Sequence, residues 1–184
     1  MNPRKTLHDE LREHALIVGE VTLTSGRTAQ YYVDAKRAIL RPAGFAALAE
    51  LVAARASEWG ATAVGGLTMG ADAPACAALA GGADVKAFFI RKETKQHGLQ
   101  RRIEGPLLDP GDRCLIVEDV VTTGGSTIQA IEAVRAEGHV VVGVVTVLDR
   151  LAGGAEAIAR ASGNAPYQAL ATIDDVYPDR PDRR

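Results

Sequence analysis

Between Cys114 and Val134 the chain reads CLIVEDVVTTGGSTIQAIEAV. An apolar run leads into two carboxylates, then into hydroxyls and glycines, and then into an amphipathic pattern. Carboxylates at a strand tip accept hydrogen bonds from sugar hydroxyls or orient magnesium-bound water, so Glu118 and Asp119 suit a diol or a hydrated cation. Downstream, Gly124 and Gly125 let the backbone approach a ligand closely, and Thr122, Thr123, Ser126 and Thr127 supply hydroxyl donors. The start of a helix adds unpaired N–H groups, which completes a phosphate cradle. Phosphate on one side and diol acceptors on the other describe a ribose 5-phosphate. The bland alternative is an ordinary strand–turn–helix junction with an acidic N-cap. A dinucleotide-binding fold is disfavoured, because no GxGxxG follows any predicted strand.

The second concentration of reactive side chains is RKETKQHGLQRRIEG, residues 91–105, a polar stretch between two apolar runs. Long loops of this kind in compact domains are functional lids or disordered segments. Taken alone, such a charge run is solvated surface or an RNA-contacting patch, and Arg101 and Arg102 keep the solvated reading. With a formal net charge of −2, no overall basic field draws the chain to nucleic acid or to an anionic membrane, so any anion site must be local. Of the four histidines only His97 has a motif around it. Cys76 and Cys114 sit in apolar contexts and are expected to be small buried thiols rather than a disulfide.

The elements that must hold these groups follow from periodicity. Leu7, Leu11, Ala15 and Leu16 recur at helical spacing, so about Thr6 to Val18 reads as an amphipathic helix. VTLTSGRTAQYYVD places two β-prone pieces around a Ser-Gly turn. Pro42 opens a helix that runs toward Trp59 and closes at Gly60. Then AVGGL, VKAFFI, CLIV and VVVGVVTVL alternate with helices near Pro74 to Leu79 and Ser126 to Glu137. Continuous Val/Ile/Leu runs separated by helices predict an α/β fold with a mostly parallel central sheet covered on both faces. A helix around Ala155 to Ala161, a YQALAT strand and a Pro-rich charged tail that should fray complete the chain.

The 184 residues, 47% of them hydrophobic, suffice for one domain. The longest apolar run, Val140 to Leu148, is too short to span a bilayer, and the N-terminal segment lacks the apolar stretch of a signal peptide. A soluble cytoplasmic protein is the expectation.

EDVVTTGGST closely resembles the phosphoribosyl pyrophosphate (PRPP) signature of type I phosphoribosyltransferases. The resemblance implies that Glu118 and Asp119 engage the ribose hydroxyls and that Val120, Val121, Thr122, Thr123, Gly124, Gly125 and Ser126 line the PRPP site. The first acid is Glu where Asp is commoner. Three further segments resemble the orotate phosphoribosyltransferases. LTSGRTAQYYVD is similar to a hairpin whose aromatic segment packs near the orotate ring, which implies Tyr32 and Val33; plain strand packing is the other reading of Tyr31 and Tyr32. RKETKQHG resembles the flexible loop of these enzymes and implies that Arg91, Lys92, Lys95 and His97 fold over the pyrophosphate leaving group. VLDR implies that Arg150 pairs with the orotate carboxylate, with Thr122 also touching the base.

The resemblance further implies a homodimer in which loop 91–104 serves the neighbouring subunit, a small hood from about 1–40 and 150–176 over a core of 41–149, and a tail of 177–184. It names Lys95, His97 and Asp119 as catalytic and Mg²⁺ as cofactor, carried by PRPP, with Asp119 reaching it through water. The reaction implied is attack of orotate N1 on the anomeric carbon, in pyrimidine (UMP) biosynthesis, with positioning and charge stabilisation rather than covalent catalysis. Nucleic acid and membranes are not expected partners. Two cations usual in the family are missing. Thr24 stands before the Ser-Gly, and the pyrophosphate loop offers Thr68, Met69 and Gly70; the expectation is either weaker affinity for orotate or pyrophosphate, or rebalancing by Arg27 or Lys36. The competing readings are a transferase for another base and a PRPP-sensing regulator.

Overall fold

The computed structural model describes residues 2–22, 26, 28–92 and 102–183. Helix α1 (Pro3–Glu10) starts at Asn2, whose side chain accepts from the N–H groups of Arg4 and Lys5, and continues as a π-helical turn, Leu11–Ala15. Leu7, Leu11 and Ala15 are fully buried, so the helical spacing holds as far as Ala15. The helix expected to reach Val18 ends there. Leu16–Thr22 is instead strand β1, paired antiparallel with β2 (Thr28–Val33), because β-branched Ile17, Val18 and Val21 fit a ladder better than a fourth helical turn.

A short α2 (Lys36–Ile39) precedes α3 (Pro42–Glu58), which has Pro42 in its first turn, buries Leu48, Val52 and Ala56 on one face, and stops at the positive-φ Gly60. Then come β3 (Ala63–Leu67), α4 (Asp72–Ala80), β4 (Lys86–Ile90), β5 (Ile103–Glu104), β6 (Arg113–Val121), α5 (Gly125–Ala136), β7 (Val140–Asp149), α6 (Gly154–Ser162), β8 (Tyr167–Thr172) and α7 (Ile173–Val176).

The central sheet has the order β5-β4-β3-β6-β7-β8, parallel throughout except for the β4–β5 pair. This is the α/β architecture with a mostly parallel sheet that the sequence predicts. Side chains of β6 alternate between the two faces: Leu115 and Val117 join the core under α1, α3 and α4, whereas Cys114 and Ile116 join the core under α5 and α6. The chain leaves β3 toward β4 on one side and returns to β6 on the other, so the carboxyl ends of β3 and β6 flank a topological switch point, where open α/β sheets bind ligands.

Three details differ from the sequence reading. The polar stretch 91–105 is not loop throughout, because Ile103 and Glu104 return along β4 and Arg91 N–H donates to Arg102 O at 2.9 Å. Cys114 is buried as expected but Cys76 is exposed, on the outer side of α4. The tail, expected to fray, makes specific contacts, with Tyr177 against Tyr31 and Arg180 paired with Asp174. Among the described residues no helix is long and apolar enough to cross a membrane.

Candidate active site

Strand β6 ends in the acid pair. Glu118 and Asp119 are 4% and 8% exposed, a burial that carboxylates tolerate only when paired. Glu118 accepts from the Asp119 N–H at 3.3 Å and from the Thr127 hydroxyl at 3.5 Å. Asp119 accepts from Val120 N–H at 2.8 Å and from the Lys36 ammonium at 3.0 Å. Lys36 also meets Asp34 at 2.9 Å. Burial, then the charge of Asp119, pushes the Glu118 carboxyl up to about 8. Burial pulls Lys36 down, but its hydrogen bonds to Asp34 and Asp119 outweigh that and hold it above the ordinary lysine range.

The loop after β3 lies directly against these acids. A Cβ on Gly70 would come within 2.4 Å of Asp119 Oδ1 and 2.6 Å of Glu118 Oε1, so only glycine lets the loop approach this closely. Thr68 is fixed by its N–H to Ile90 O (2.8 Å) and its hydroxyl to Asp72 (2.9 Å), the Thr68–Met69 peptide is cis, and Met69 is exposed. The expected pyrophosphate loop and the acid pair thus share one place.

On the other side of the acids, Thr122, Thr123, Gly125 and Ser126 are exposed. Gly124, at φ 84°, caps α5, and no side chain caps that helix, which leaves its first amides to a ligand. Helix α6 supports this loop from below. Gly154 packs so tightly that a Cβ there would sit 2.4 Å from Val121 Cγ1 and 2.7 Å from Thr122 O.

Arg150 follows β7 and donates its N–H to Val121 O at 2.9 Å, which roots it beside the end of β6. Asp149 before it is buried, accepting from Leu151 N–H and Tyr167 hydroxyl, both at 2.7 Å. The Arg150 guanidinium lies over Tyr31, 5.1 Å from the ring centroid. On β2 Tyr31 and Val33 are buried while Tyr32, on the opposite face, is 37% exposed. Arg91 pairs with Glu104 at 3.5 Å, and Lys92 is exposed. Lys95, His97, Thr24 and Arg27 lie outside the described residues.

Sequence reasoning gave Lys36 only a compensating part and did not connect it to Asp119. The contact spans 83 residues, and no local pattern announces it. For Tyr31 the sequence offers plain strand packing and no link to Arg150, although strand alternation separates it from Tyr32. Among the described residues no group of three or more His, Cys, Asp or Glu side chains could hold a metal ion.

A parallel sheet with an acid pair, an uncapped helix start and a hydroxyl-rich turn at its switch point defines a phosphoribosyltransferase domain, and the family model for the phosphoribosyl transferase domain matches residues 35–162. The chain is 47% identical over 174 residues to the orotate phosphoribosyltransferase of Corynebacterium glutamicum (strain R), covering 94% of this chain and 93% of that one. It is also similar to Mycobacterium tuberculosis H37Rv orotate phosphoribosyltransferase in complex with Fe(III) dicitrate (TM-score 0.84, 42% identity, 95% and 99% of the two chains). The same mycobacterial enzyme in complex with PRPP gives a TM-score of 0.79 at 39% identity, over 95% and 98%. The chain belongs to the orotate phosphoribosyltransferase family.

Proposed function

We infer that this protein transfers the 5-phosphoribosyl group from PRPP to N1 of orotate, giving orotidine 5′-monophosphate and pyrophosphate, a step of pyrimidine nucleotide (UMP) synthesis. The observation that carries the reading is the convergence of the Glu118/Asp119 pair with Gly70 on one side and the Thr122–Ser126 turn on the other. That arrangement suits a ribose carrying phosphate at one end and pyrophosphate at the other.

In this reading the 5-phosphate lies on the Thr122–Ser126 amides and hydroxyls, lined by Val120 and Val121, and the acids take the ribose hydroxyls. Thr68, Met69 and Gly70 meet the pyrophosphate. Arg150, with Tyr32, Val33 and Thr122, holds orotate, the guanidinium forming a charge-assisted pair with the carboxylate that uracil lacks. Arg91, Lys92, Lys95 and His97 close over the leaving group and neutralise charge as the C–O bond breaks. Lys95, His97 and Asp119 are the residues to which we assign catalysis.

Mg²⁺ is the proposed cofactor. The acid pair is a hard oxygen donor set, and two adjacent carboxylates fall short of a complete protein cage, so the fit is to a cation held mainly by PRPP, with Asp119 contributing through water. When bound, the ion supplies positive charge to the pyrophosphate. We also propose a cytoplasmic homodimer in which loop 91–104 serves the partner's site, and a hood formed by about 1–40 and 150–176.

The test is loss of orotate absorbance on adding PRPP and Mg²⁺ to the purified protein, with uracil and adenine assayed separately for pyrophosphate release. Turnover is expected with orotate alone and should fall by about 10²-fold or more in Lys95→Ala. PRPP binding without turnover of any base would favour a regulator instead.

A further inference from the structure

Arg150 is joined through Tyr31 to a contact network that begins in the C-terminal tail, at Arg180 and Asp182. Its guanidinium carbon lies 5.1 Å from the centroid of the Tyr31 ring, inside the range at which a cation is drawn to an aromatic face. Tyr31 is 4% exposed, and its ring meets that of Tyr177 edge-on, with centroids 5.3 Å apart and planes at 84°. The Tyr31 hydroxyl donates to the Asp182 carboxylate, at 3.0 Å to Oδ2 and 3.2 Å to Oδ1. Asp182 is held in turn by Arg180, whose Nε lies 3.2 Å from Oδ1 and whose side chain, 10% exposed, also pairs with Asp174.

We propose that Tyr31 is a positioning residue for Arg150, and that Tyr177 and Asp182 set the ring on which the guanidinium is aimed at the carboxylate of the base. The proposal rests on the reading of Arg150 as the orotate partner. A guanidinium presents a rigid planar fork, and two parallel hydrogen bonds to a carboxylate form only when that plane is correctly turned. Attraction to a fixed ring restricts the guanidinium before the base arrives, so less freedom is lost on binding. A hydroxyl donating to a carboxylate makes the phenol ring more electron-rich, which strengthens its hold on a cation. Among the described residues the network meets the proposed ligand-binding side chains at Arg150, so its effect is expected on the base rather than on PRPP.

The experiment is steady-state kinetics with each substrate varied in turn, on wild type, Tyr31→Leu, Tyr31→Phe, Asp182→Asn, Arg150→Ala and the Arg150→Ala/Tyr31→Leu double variant. Tyr31→Leu is expected to raise KM for orotate about fivefold while KM for PRPP stays put; Tyr31→Phe and Asp182→Asn, which keep the ring, raise it about twofold. In the Arg150→Ala background Tyr31→Leu should add nothing. Equal rises in both KM values, no rise in KM for orotate, or effects that multiply in the double variant would each overturn the proposal. An Arg150→Ala enzyme with an unchanged KM for orotate would instead overturn the underlying reading of Arg150. If Tyr31→Leu folds poorly, Tyr31→Phe and Asp182→Asn decide by the same KM split.

Discussion

At neutral pH the Glu118 carboxyl, pushed up to about 8 first by burial and then by the charge of Asp119, carries a proton in the ligand-free protein, while Asp119 holds the Lys36 ammonium at 3.0 Å. Ribose hydroxyls donating to Glu118 favour its ionised form and lower its pKa in the complex. The sign follows: PRPP binding releases a proton at pH values between the lowered pKa of the complex and about 8, so affinity rises with pH in that window and levels off above it. The slope cannot exceed about tenfold per pH unit from one proton. Calorimetry of PRPP binding in buffers of different ionisation enthalpy should show this release in wild type and its loss in Glu118→Gln. An undiminished release in the variant would assign the proton to a substrate phosphate and sink the idea.

Helix α6 makes no expected contact with substrate, yet its first residue is packed against the phosphate turn. In Gly154→Ala the new methyl would overlap Val121 Cγ1 and Thr122 O, and overpacking of this kind costs about 1–3 kcal/mol. The expected result is a KM for PRPP raised about tenfold, with a lower thermal midpoint and a smaller effect on KM for orotate. Normal PRPP kinetics in that variant would show that the turn does not depend on α6. Elements of this size were largely legible in the sequence. Val/Ile/Leu runs gave β3, β4, β6 and β7, and the strand–turn–helix chemistry after Cys114 gave the segment that the structure sets beside Gly70. What escaped was short or tertiary. Helices α2 and α7 span four residues each and β5 two, below what periodicity registers. The end of α1 was misjudged because Leu16 fits both a helical face and the β1 ladder. The Lys36–Asp119 and Tyr31–Arg150 contacts join distant segments, and nothing local encodes them.

At the scale of the whole molecule, the proposal that loop 91–104 serves the partner's site makes a prediction of its own. Its described flanks are fastened together at the β4–β5 edge, by Arg91 N–H to Arg102 O. The acids are on β6, two strand positions from β4 in the sheet order, or roughly 10 Å at ordinary strand spacing. A loop of this length going out and back can extend on the order of 15 Å at most, so chain length alone permits service to its own site. Mixing two inactive variants separates these cases. If the loop acts across a dimer, Lys95→Ala and Asp119→Asn subunits form a heterodimer in which the Lys95→Ala subunit keeps its acids and receives an intact loop, while the other site carries both lesions. Random reassociation makes half of the dimers mixed, each with one working site of two, so about a quarter of wild-type activity should return. If the loop serves its own subunit, every site in the mixture lacks either Lys95 or Asp119, and activity stays at the level of the separate variants. Recovery after co-refolding or subunit exchange would therefore establish the shared site, and its absence from a mixture shown by mass spectrometry to contain the heterodimer would rule it out.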